Sequence, residues 1–337
     1  MPKRLIVIGG GFAGSKIAKK LQNSFHVTLI DRKNYFEFTP GILKSIVYPN
    51  KVDNIQILHK NYLRNSNVIV ESVKKINDSE VILENNKKLE YDLLVIASGS
   101  RYNKPIKDML AVSSVRKEEI SKYHEKLKDS GSVLIVGGGI VGVEIAAEIV
   151  SRYRKKIVLV HSYSRLIRRN SREASRYARK FLERKGVKLM LGERFVSEKE
   201  GYFMTDRGNS LKSDMIILCT GITPNSEFVD SKFLDDKGFV SVDENLKVRD
   251  NWFCCGDTAA IDEEKTAQGA EKQADTVIYN ILNHEKMRKY APQKRPVVIS
   301  LGKYSGILEY KGLVITGMIP RIMKSIIELK TMISKKL

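Results

Sequence analysis

The sequence has 337 residues, 42% of them hydrophobic, and a formal net charge of +20. This length suggests about two domains, and the apolar fraction excludes a disordered chain, which would bury too little surface to offset the entropy of ordering. No apolar run approaches the roughly 20 residues of a membrane-spanning helix, and the N-terminus lacks the pattern of a signal peptide, so we expect a cytoplasmic protein.

Residues 4–21 are predicted to form a strand, a glycine-rich turn and a helix. The apolar run RLIVI precedes Gly9, Gly11 and Gly14, which have the spacing G-x-G-x-x-G. In a dinucleotide-binding unit one glycine permits the tight turn, one lets the backbone approach a pyrophosphate, and one permits close contact between helix and strand. The pattern therefore predicts a dinucleotide site at the start of the chain.

The next predicted strand, HVTLI, ends at Asp31, about 20 residues after the turn. A carboxylate at this position can accept hydrogen bonds from both ribose hydroxyls, so Asp31 favours an unphosphorylated ribose. A further apolar strand in YDLLVIASGS (91–100) ends in a small-residue turn at Ser98 and Gly99. Both segments agree with a dinucleotide-binding unit.

Residues 132–149 repeat the strand–turn–helix pattern, with Gly137, Gly139 and Gly142 at an offset of 128 residues. One such motif is weak evidence, because glycine turns after strands are common. Two of them in the same context predict two dinucleotide sites. We therefore expect FAD at one and NADH or NADPH at the other, since one must pass a hydride to the other.

The ribose end of the second unit differs from that of the first. Its second strand, KKIVLV, ends at His161 rather than at a carboxylate, and Arg165, Arg168 and Arg169 follow. Without a carboxylate a 2′-phosphate is not repelled, and a neighbouring arginine can accept it. We expect NADPH to compete with NADH here; the alternative is that these arginines form a solvated face.

Two later segments repeat the pattern of an apolar strand and a small-residue turn. DMIILCTG (214–221) ends in Gly221, and WFCCGDT (252–258) has Gly256 and Asp257 after an apolar strand. An acid at this point could bond the ribityl chain of a flavin. Each segment alone is common, but their order along the chain supports a flavin-binding protein.

The three cysteines, Cys219, Cys254 and Cys255, are too few and too clustered for a disulfide framework. The sequence has no CxxC pair that would indicate a metal or redox site. Each cysteine lies in or beside an apolar strand segment, so we predict that all three are core thiols.

The C-terminal region, residues 291–337, begins with the boundary signal APQKRP. We predict a hairpin over ISLGKYSGILEYKGLVI and then a helix with Pro320 in its first turn. Helical spacing gives this helix one apolar face, made of Ile322, Met323, Ile326, Ile327, Leu329, Ile333 and Leu337. The rest is basic, with Arg321, Lys324, Lys330, Lys335 and Lys336. Such a helix can lie on an anionic membrane surface; packing on its own domain or in a homodimer is the alternative.

Together these motifs resemble the pyridine nucleotide-disulfide oxidoreductase superfamily over residues 1–290. The resemblance implies an α/β fold with two Rossmann-like, glutathione-reductase-type dinucleotide-binding domains, followed by the short hairpin and amphipathic helix. The FAD-binding domain is then split, residues 1–105 and 235–290, around an NAD(P)H-binding domain, residues 106–234. Residues 291–337 are then expected to form a membrane-association region. The disulfide reductases and sulfide:quinone oxidoreductases of this superfamily use redox cysteines, which fits poorly with core thiols.

The branch that the sequence resembles most comprises type II NADH dehydrogenases and the related ferroptosis suppressor and apoptosis-inducing-factor-like oxidoreductases. DRKNYFEFTPGIL (31–43), with Arg32 and Pro40, is similar to the family segment that runs along the flavin. VLVHS (158–162) and ILCTGITPNS (217–226) look most like the ferroptosis suppressor proteins. Those proteins also have a histidine where NAD-strict enzymes have an acid.

TAQGAEKQA (266–274) resembles the A-Q-x-A-x-Q helix that faces flavin and quinone in type II dehydrogenases. Ala267, Gln268 and Ala270 match this helix. Lys272 replaces its second glutamine, so the resemblance implies only part of the quinone contact. From the residues alone, the run is a helix start just after the candidate flavin acid, and Gln268 can therefore lie near the flavin.

Glu144 is the candidate for handling protons. It lies two residues after Gly142, in the first turns of the helix that points at the bound nicotinamide and flavin, and the family has a glutamate at the matching place. Reduction of a quinone by two electrons needs two protons, and a nearby carboxylate could organise both nicotinamide docking and a proton path. The alternative is that Glu144 only favours a helix N-terminus. Glu148, one turn later, is expected to be structural.

We therefore expect a FAD-dependent NAD(P)H:quinone oxidoreductase that does not pump protons and lies at the cytoplasmic face of a membrane. One alternative keeps the fold but has a soluble acceptor, such as oxygen, sulfur species or an electron-transfer protein. Another is a basic nucleotide-sensing flavoprotein that binds nucleic acid or a partner protein. The sequence has no recognised nucleic-acid module, so we expect no nucleic acid. Residues 152–185 hold 13 Lys or Arg, a charge that suits a phosphorylated nucleotide and an anionic surface.

Overall fold

The computed structural model describes residues 2–102, 113–199 and 202–336, which form a mixed α/β structure. Within these residues the α-helices are α1 (Phe12–Leu21), α2 (Ile42–Val47), α3 (Ser113–Asp129), α4 (Ile140–Arg152), α5 (Arg172–Arg184), α6 (Ala267–Leu282) and α7 (Met318–Lys336). The strands are β1 (Arg4–Ile8), β2 (His26–Asp31), β3 (Tyr35–Glu37), β4 (Gln56–Leu58), β5 (Asn67–Val70), β6 (Val73–Ile76), β7 (Glu80–Leu83), β8 (Lys88–Glu90), β9 (Leu93–Ile96), β10 (Ser100–Arg101), β11 (Ser132–Val136), β12 (Lys156–His161), β13 (Lys188–Leu191), β14 (Phe195–Lys199), β15 (Tyr202–Thr205), β16 (Ser210–Lys212), β17 (Met215–Leu218), β18 (Thr223–Pro224), β19 (Lys247–Arg249), β20 (Trp252–Cys254), β21 (Val297–Leu301), β22 (Ser305–Tyr310) and β23 (Leu313–Thr316).

The first glycine-rich turn follows an interior strand of a six-stranded sheet, whose order is β19-β20-β9-β1-β2-β5. β1 pairs in parallel with β2 and β9, and its apolar side chains are buried, as expected for a parallel strand that is covered on both faces. Helix α1 packs beside α6 and buries Ile17 and Leu21. The predicted strands RLIVI and HVTLI are confirmed as β1 and β2, with Asp31 the last residue of β2.

The second glycine-rich turn follows β11 in a four-stranded parallel sheet with the order β13-β12-β11-β17. Helix α4 starts directly after the turn and buries Val143 and Ile145. β12 ends at His161, as the sequence predicts. Because each glycine turn lies at the carboxyl end of the strand before it, the two sheets present equivalent edges to a ligand.

The strands of the first sheet come from residues 4–96 and 247–254, and those of the second from residues 132–218. The predicted domain boundary at residues 105 and 106 lies outside the described residues. The boundaries at residues 234/235 and 290/291 stay predictions.

Residues 297–316 form three antiparallel strands, β21 to β23, so the prediction of a single hairpin was wrong by one strand. β22 and β23 are joined at Lys311 and Gly312, which both have positive φ, 49° and 87°, the backbone combination of a type I′ turn. Helix α7 then packs across β21 and β22, with Pro320 in its first turn. Among the helices of the described residues, none combines the length and apolar character that crossing a membrane requires.

Candidate active-site cavity

One cavity of about 2790 Å³ is lined by residues from both glycine turns and from helix α7. It is several times larger than the roughly 300–1,000 Å³ of an ordinary small-molecule site, as two dinucleotides require. Its wall includes most of the predicted site residues, namely Gly9, Gly11, Asp31, Arg32, Pro40, Ser98, Gly99, Gly137, Gly139, Glu144, His161, Gly221, Gly256, Asp257, Ala267 and Gln268. The other two, Gly14 and Gly142, lie beneath the wall, each against the first glycine of its own turn.

The first glycine turn has the shape that a bound pyrophosphate needs. Gly9 has a φ of +99°, and a Cβ atom there would lie 2.3 Å from the carbonyl oxygen of Ala97. A Cβ atom at Gly14 would lie 1.8 Å from the carbonyl oxygen of Gly9, so only glycine permits this approach of α1 to the turn. The Cβ position of Gly11 has no atom within 4 Å and faces the cavity. The open position is thus the one at which a phosphate would meet the start of α1.

The second glycine turn repeats this geometry 128 residues later. Gly137 has a φ of +108°, and its Cβ position lies 2.2 Å from the carbonyl oxygen of Cys219. The Cβ position of Gly142 lies 1.8 Å from the carbonyl oxygen of Gly137, and that of Gly139 has no atom within 4 Å. The residues of both turns therefore fit a dinucleotide.

Asp31 is buried and held by three donors. Its carboxylate accepts hydrogen bonds from the backbone N–H groups of Gly10 (2.7 Å) and Lys33 (3.0 Å), and its Oδ2 lies 3.3 Å from His59 Nε2. Burial by itself would raise the pKa of Asp31, but the hydrogen bond and charge of His59 and the charge of Lys33 hold that pKa below its usual value. Asp31 is therefore an anion that can accept hydrogen bonds from ribose hydroxyls.

His59 is a residue of this site that the sequence analysis missed. It is fully buried at the start of a short 3₁₀ turn, and its Nδ1 lies 2.6 Å from the hydroxyl of Tyr62. It is 28 residues from Asp31 along the chain, and the pairing of β3 with β4 brings it there. No local motif marks a histidine in this role, so the sequence carried no signal for it.

The ribose end of the second unit is built differently. His161 Nε2 is buried and has no hydrogen-bond partner among the described residues, and burial lowers the pKa of His161, so its imidazole is neutral near pH 7. Arg168 and Arg169 are exposed and line the same cavity. Arg165 instead donates to the backbone carbonyl oxygens of Arg168 and Asn170. Two of the three predicted arginines are thus open to a phosphate, whereas Arg165 is used to close its own loop.

Glu144 lines the cavity from the first turns of α4 and is only 4% exposed. Its Oε1 accepts a hydrogen bond from the backbone N–H of Ser300 in β21 (2.7 Å) and forms an ion pair with Lys324 of α7. The C-terminal region therefore covers the predicted proton-handling residue. The sequence analysis missed this pair because its members lie 180 residues apart. Glu148, one turn later, is also buried, and burial raises its pKa.

The predicted flavin acid lies in a 3₁₀ turn after β20. Asp257 lines the cavity and accepts a hydrogen bond from the hydroxyl of Ser100 (2.7 Å). Gln273 of α6, which the sequence analysis passed over, accepts a hydrogen bond from the backbone N–H of Gly256 (2.6 Å) and so holds this turn. Gln268, in the first turn of the same helix, is half-buried and faces the cavity. Helix α6 thus supports the turn and contributes to the wall.

The three cysteines lie in the core, as predicted. Burial raises the pKa of Cys219 and of Cys255 to about 12, and it raises the pKa of Cys254 well above its usual value. These thiols therefore stay protonated near neutral pH, whereas a redox or nucleophilic cysteine needs its thiolate form.

Helix α7 differs from the prediction of one apolar and one basic side. Its solvent-facing side carries what we call the exposed apolar row, made of Ile319, Ile322, Ile326, Leu329 and Ile333. Two of its predicted surface cations point inward instead. Lys324 pairs with Glu144, and Lys335, 4% exposed, donates to the hydroxyl of Ser15 (2.6 Å). The prediction was wrong on this point because tertiary contacts recruit cations from the side that the helical pattern marked as polar.

Comparisons with known proteins show the family to which the chain belongs. A family model described as pyridine nucleotide-disulphide oxidoreductase matches residues 3–274 of the chain. Apoptosis-inducing factor homolog A of Dictyostelium discoideum is 31% identical, and the match covers 96% of this chain and 89% of that protein. Ferroptosis suppressor protein 1 of Homo sapiens is 29% identical over 95% of this chain and 92% of its own. The predicted family resemblance is confirmed.

Two solved structures share the fold. NDH2 from Plasmodium falciparum in complex with NADH has a TM-score of 0.85 at 15% identity, covering 100% of this chain and 98% of that chain. The sulfide:quinone oxidoreductase from Aquifex aeolicus has a TM-score of 0.84 at 20% identity, covering 99% and 91%. The predicted α/β architecture is therefore confirmed at the level of the fold.

Proposed function

Because the chain belongs to the pyridine nucleotide-disulphide oxidoreductase family, and is therefore an oxidoreductase that uses FAD and a nicotinamide nucleotide, we propose that it reduces a quinone. Two electrons pass from NADH or NADPH through FAD to the quinone, without proton pumping. One observation carries the proposal: both glycine turns and Glu144 line one cavity, and helix α7 forms part of the wall of that cavity.

We assign FAD to the first unit. Gly11 would receive the pyrophosphate at the start of α1, Asp31 the ribose hydroxyls, and Asp257 the ribityl chain. When bound, FAD supplies the two-electron chemistry, since it accepts a hydride from the nicotinamide and passes the electron pair to the acceptor. The chain itself would bind and orient this group. Further lining residues of this part of the cavity are Arg32, Pro40, Ser98, Gly99, Gly256 and Ala267.

We assign the donor to the second unit. Its pyrophosphate would lie at Gly139 and its adenosine ribose beside His161. A neutral imidazole does not repel a 2′-phosphate, and Arg168 and Arg169 can accept one. We therefore propose that NADH and NADPH are both donors, as the absence of a carboxylate at the end of β12 suggests.

We assign proton handling to Glu144. The hydrogen bonds and the ion pair that hold it among the described residues all use Oε1. Its other oxygen, Oε2, can therefore meet the nicotinamide or a water molecule. Since two-electron reduction of a quinone consumes two protons, an ordered carboxylate at the wall can pass protons from solvent to the acceptor.

We assign the quinone to the α7 side of the cavity. Leu43 and Ile327 supply apolar wall for a ring, and the side-chain amide of Gln268 can donate a hydrogen bond to a quinone oxygen. The sulfide:quinone oxidoreductase of the same fold supports a quinone as the acceptor. Oxygen, sulfur species and an electron-transfer protein remain the competing acceptors that an experiment must separate.

The decisive experiment follows the visible flavin absorbance of the purified protein without oxygen. We expect NADH or NADPH to bleach it and a short-chain benzoquinone to restore it faster than oxygen or polysulfide does. If the flavin is reduced but oxygen, polysulfide or an electron-transfer protein restores it faster than the quinone, the acceptor is soluble and the proposal is wrong. If NADH and NADPH do not bleach it, the assignment of the second unit fails as well.

We further propose that the exposed apolar row of α7 lies on an anionic membrane at its cytoplasmic face. Lys330 and Lys336 are exposed on the same helix, and a basic residue near an anionic surface contributes about 1 kcal/mol. Contact with the membrane would remove the row from water. A quinone dissolved in the bilayer would then reach the cavity wall on the other side of this helix.

A triple variant tests this without undocking the helix, since it keeps both inward lysines: Ile322→Gln, Ile326→Gln and Leu329→Gln. We expect loss of flotation with vesicles that contain phosphatidylglycerol, and slower reduction of a membrane-dissolved quinone with an unchanged rate for a water-soluble one. Ser325→Gln, exposed on the same helix, is the control. Unchanged vesicle binding by the triple variant contradicts the proposal, and a switch from dimer to monomer instead would show that the row binds a second copy of the chain.

A further inference from the structure

We infer that Asn225 is a positioning residue that holds the two dinucleotide sites at the separation that hydride transfer requires. It acts through what we call the Asn225 clasp, in which segments that leave the two sheets are bonded to each other. The members of the clasp are Ser98, Gly99, Arg101 and Asn225. The inference rests on the proposed assignment of FAD to the first unit and of the nicotinamide nucleotide to the second.

The clasp joins the two small-residue turns that follow β9 and β17. Each of these turns lies against the glycine turn of its own unit. A Cβ atom at Gly9 would lie 2.3 Å from the carbonyl oxygen of Ala97, and one at Gly137 would lie 2.2 Å from that of Cys219. Ala97 and Cys219 are the first residues after β9 and β17. Since backbone lies against backbone at both places, a small-residue turn cannot shift without moving its glycine turn.

Beyond these turns the chain forms a short ribbon that connects the two units. β10, which follows the first sheet strand β9, pairs antiparallel with β18, which follows the second sheet strand β17. The ribbon has two residues on each side, and one of them, Pro224, has no N–H to donate. Because an isolated two-stranded ribbon is marginally stable at best, its geometry depends on the hydrogen bonds beside it.

Asn225 supplies those bonds with all its polar groups. Its backbone N–H donates to the carbonyl oxygen of Gly99 (2.9 Å), and its backbone carbonyl accepts from the hydroxyl of Ser98 (2.6 Å). Its side-chain amide donates to the carbonyl oxygen of Ser98 (2.9 Å) and accepts from the guanidinium of Arg101 (3.2 Å). A carbonyl oxygen only accepts and a guanidinium only donates, so the direction of each bond is fixed.

The clasp continues into the turn that holds the proposed flavin acid. The carbonyl oxygen of Gly99 also accepts from the hydroxyl of Thr258 (2.8 Å), and the hydroxyl of Ser100 donates to Asp257 (2.7 Å). Asn225 therefore connects the exit of the second sheet to the wall assigned to FAD. A hydride moves only between atoms about 3–3.5 Å apart, and a misplacement of about 1 Å can cost about a hundredfold in rate. Loss of the clasp should therefore act on the transfer step.

Two variants test this role. Asn225→Ala removes both side-chain bonds, and Asn225→Asp, at nearly the same volume, places an acceptor against the carbonyl oxygen of Ser98. We expect the limiting rate of flavin reduction at saturating NADH, measured by stopped flow without oxygen, to fall about tenfold or more in each. The Kd values of FAD and NADH should stay within about threefold of those of the wild type, because neither variant removes a group assigned to bind them.

Asn280→Ala is the matched control. Asn280 is fully buried in α6, and its amide bonds the backbone of Asn245 and Arg288, but it is not among the described residues that line the cavity. Its loss should lower the thermal stability and leave the limiting rate per bound flavin unchanged.

The outcomes separate the clasp from the proposed function. A wild-type limiting rate in the Asn225 variants would show that the clasp does not position the two sites, and the inference would be wrong. Loss of bound FAD from both variants would show a structural role and overturn it as well. If Asn225→Ala does not fold, the rate of Asn225→Asp decides. If neither NADH nor NADPH reduces the flavin of the wild type, the proposed function fails and the inference fails with it.

Discussion

The two nucleotide units share one backbone design and differ where the second strand ends. In both, the first glycine has a positive φ, the Cβ position of the third lies 1.8 Å from a carbonyl oxygen, and the middle glycine is open. The first unit then presents Asp31, held by backbone and by His59. The second presents His161, whose Nε2 lacks a partner in the described part of the chain. We interpret the shared geometry as the pyrophosphate site and the difference as the choice of dinucleotide.

Helix α7 extends this comparison, because it gives one lysine to each unit. Lys335 reaches Ser15, the residue after the third glycine of the first unit. Lys324 reaches Glu144, two residues after the third glycine of the second. Removal of the whole helix would therefore disturb both units at once, and single substitutions are the sharper way to tell them apart.

The largest expected effect tests the glycine-turn geometry that the two units share. Gly11→Ala and Gly139→Ala each place a methyl group where the structure has no atom within 4 Å, so the fold should stay intact while the pyrophosphate is blocked. We expect the Kd of FAD for the first variant, and of NADH for the second, to rise about a hundredfold or more. Flavin absorbance and the rate of flavin reduction measure the two effects.

Gly131→Ala is the control, since its Cβ atom would meet only the Asp214 carboxylate, at 3.4 Å. The assignment of one dinucleotide to each unit is wrong if Gly139→Ala loses FAD as completely as Gly11→Ala does.

The second prediction concerns a difference between the two units. The lysine from α7 meets an acid, Glu144, in the second unit and a serine in the first. Glu144→Gln should slow flavin reduction or quinone turnover about tenfold or more, with FAD still bound, because the amide cannot carry a proton. Steady-state and stopped-flow rates measure it, and Glu148→Gln, one turn away and equally buried, is the matched control. Unchanged turnover in Glu144→Gln would reject the proton-handling role.

The smallest expected effect comes from a substitution that makes the second unit resemble the first. His161→Asp should lower the kcat/KM for NADPH relative to that for NADH roughly fivefold. The reason is that a carboxylate repels the 2′-phosphate, and the surrounding solvent partly screens this repulsion. The ratio of the two initial rates measures it, and His161→Asn provides a variant without the charge. Equal ratios in both variants would show that no 2′-phosphate lies near residue 161.

Much of the fold was predictable because its signals are local. The strands before each glycine turn are short apolar runs, and the spacing G-x-G-x-x-G restricts the backbone conformation of the turn. The strands β1, β2, β11 and β12 therefore lie where the sequence analysis predicted them. The third C-terminal strand was missed because the turn at Lys311 and Gly312 is short and its first residue is not a typical turn residue.

The sequence by itself determined the two glycine turns, the strand-end residues Asp31 and His161, and the burial of the cysteines, since these depend on neighbours along the chain. Only the tertiary structure decided the partners of the charged groups: His59 for Asp31, and two lysines of α7 for Glu144 and Ser15. The physical reason is the difference in sequence separation over which the two kinds of interaction act. Backbone sterics act over a few residues, whereas a buried charge requires a partner that the folded chain brings from anywhere in the sequence.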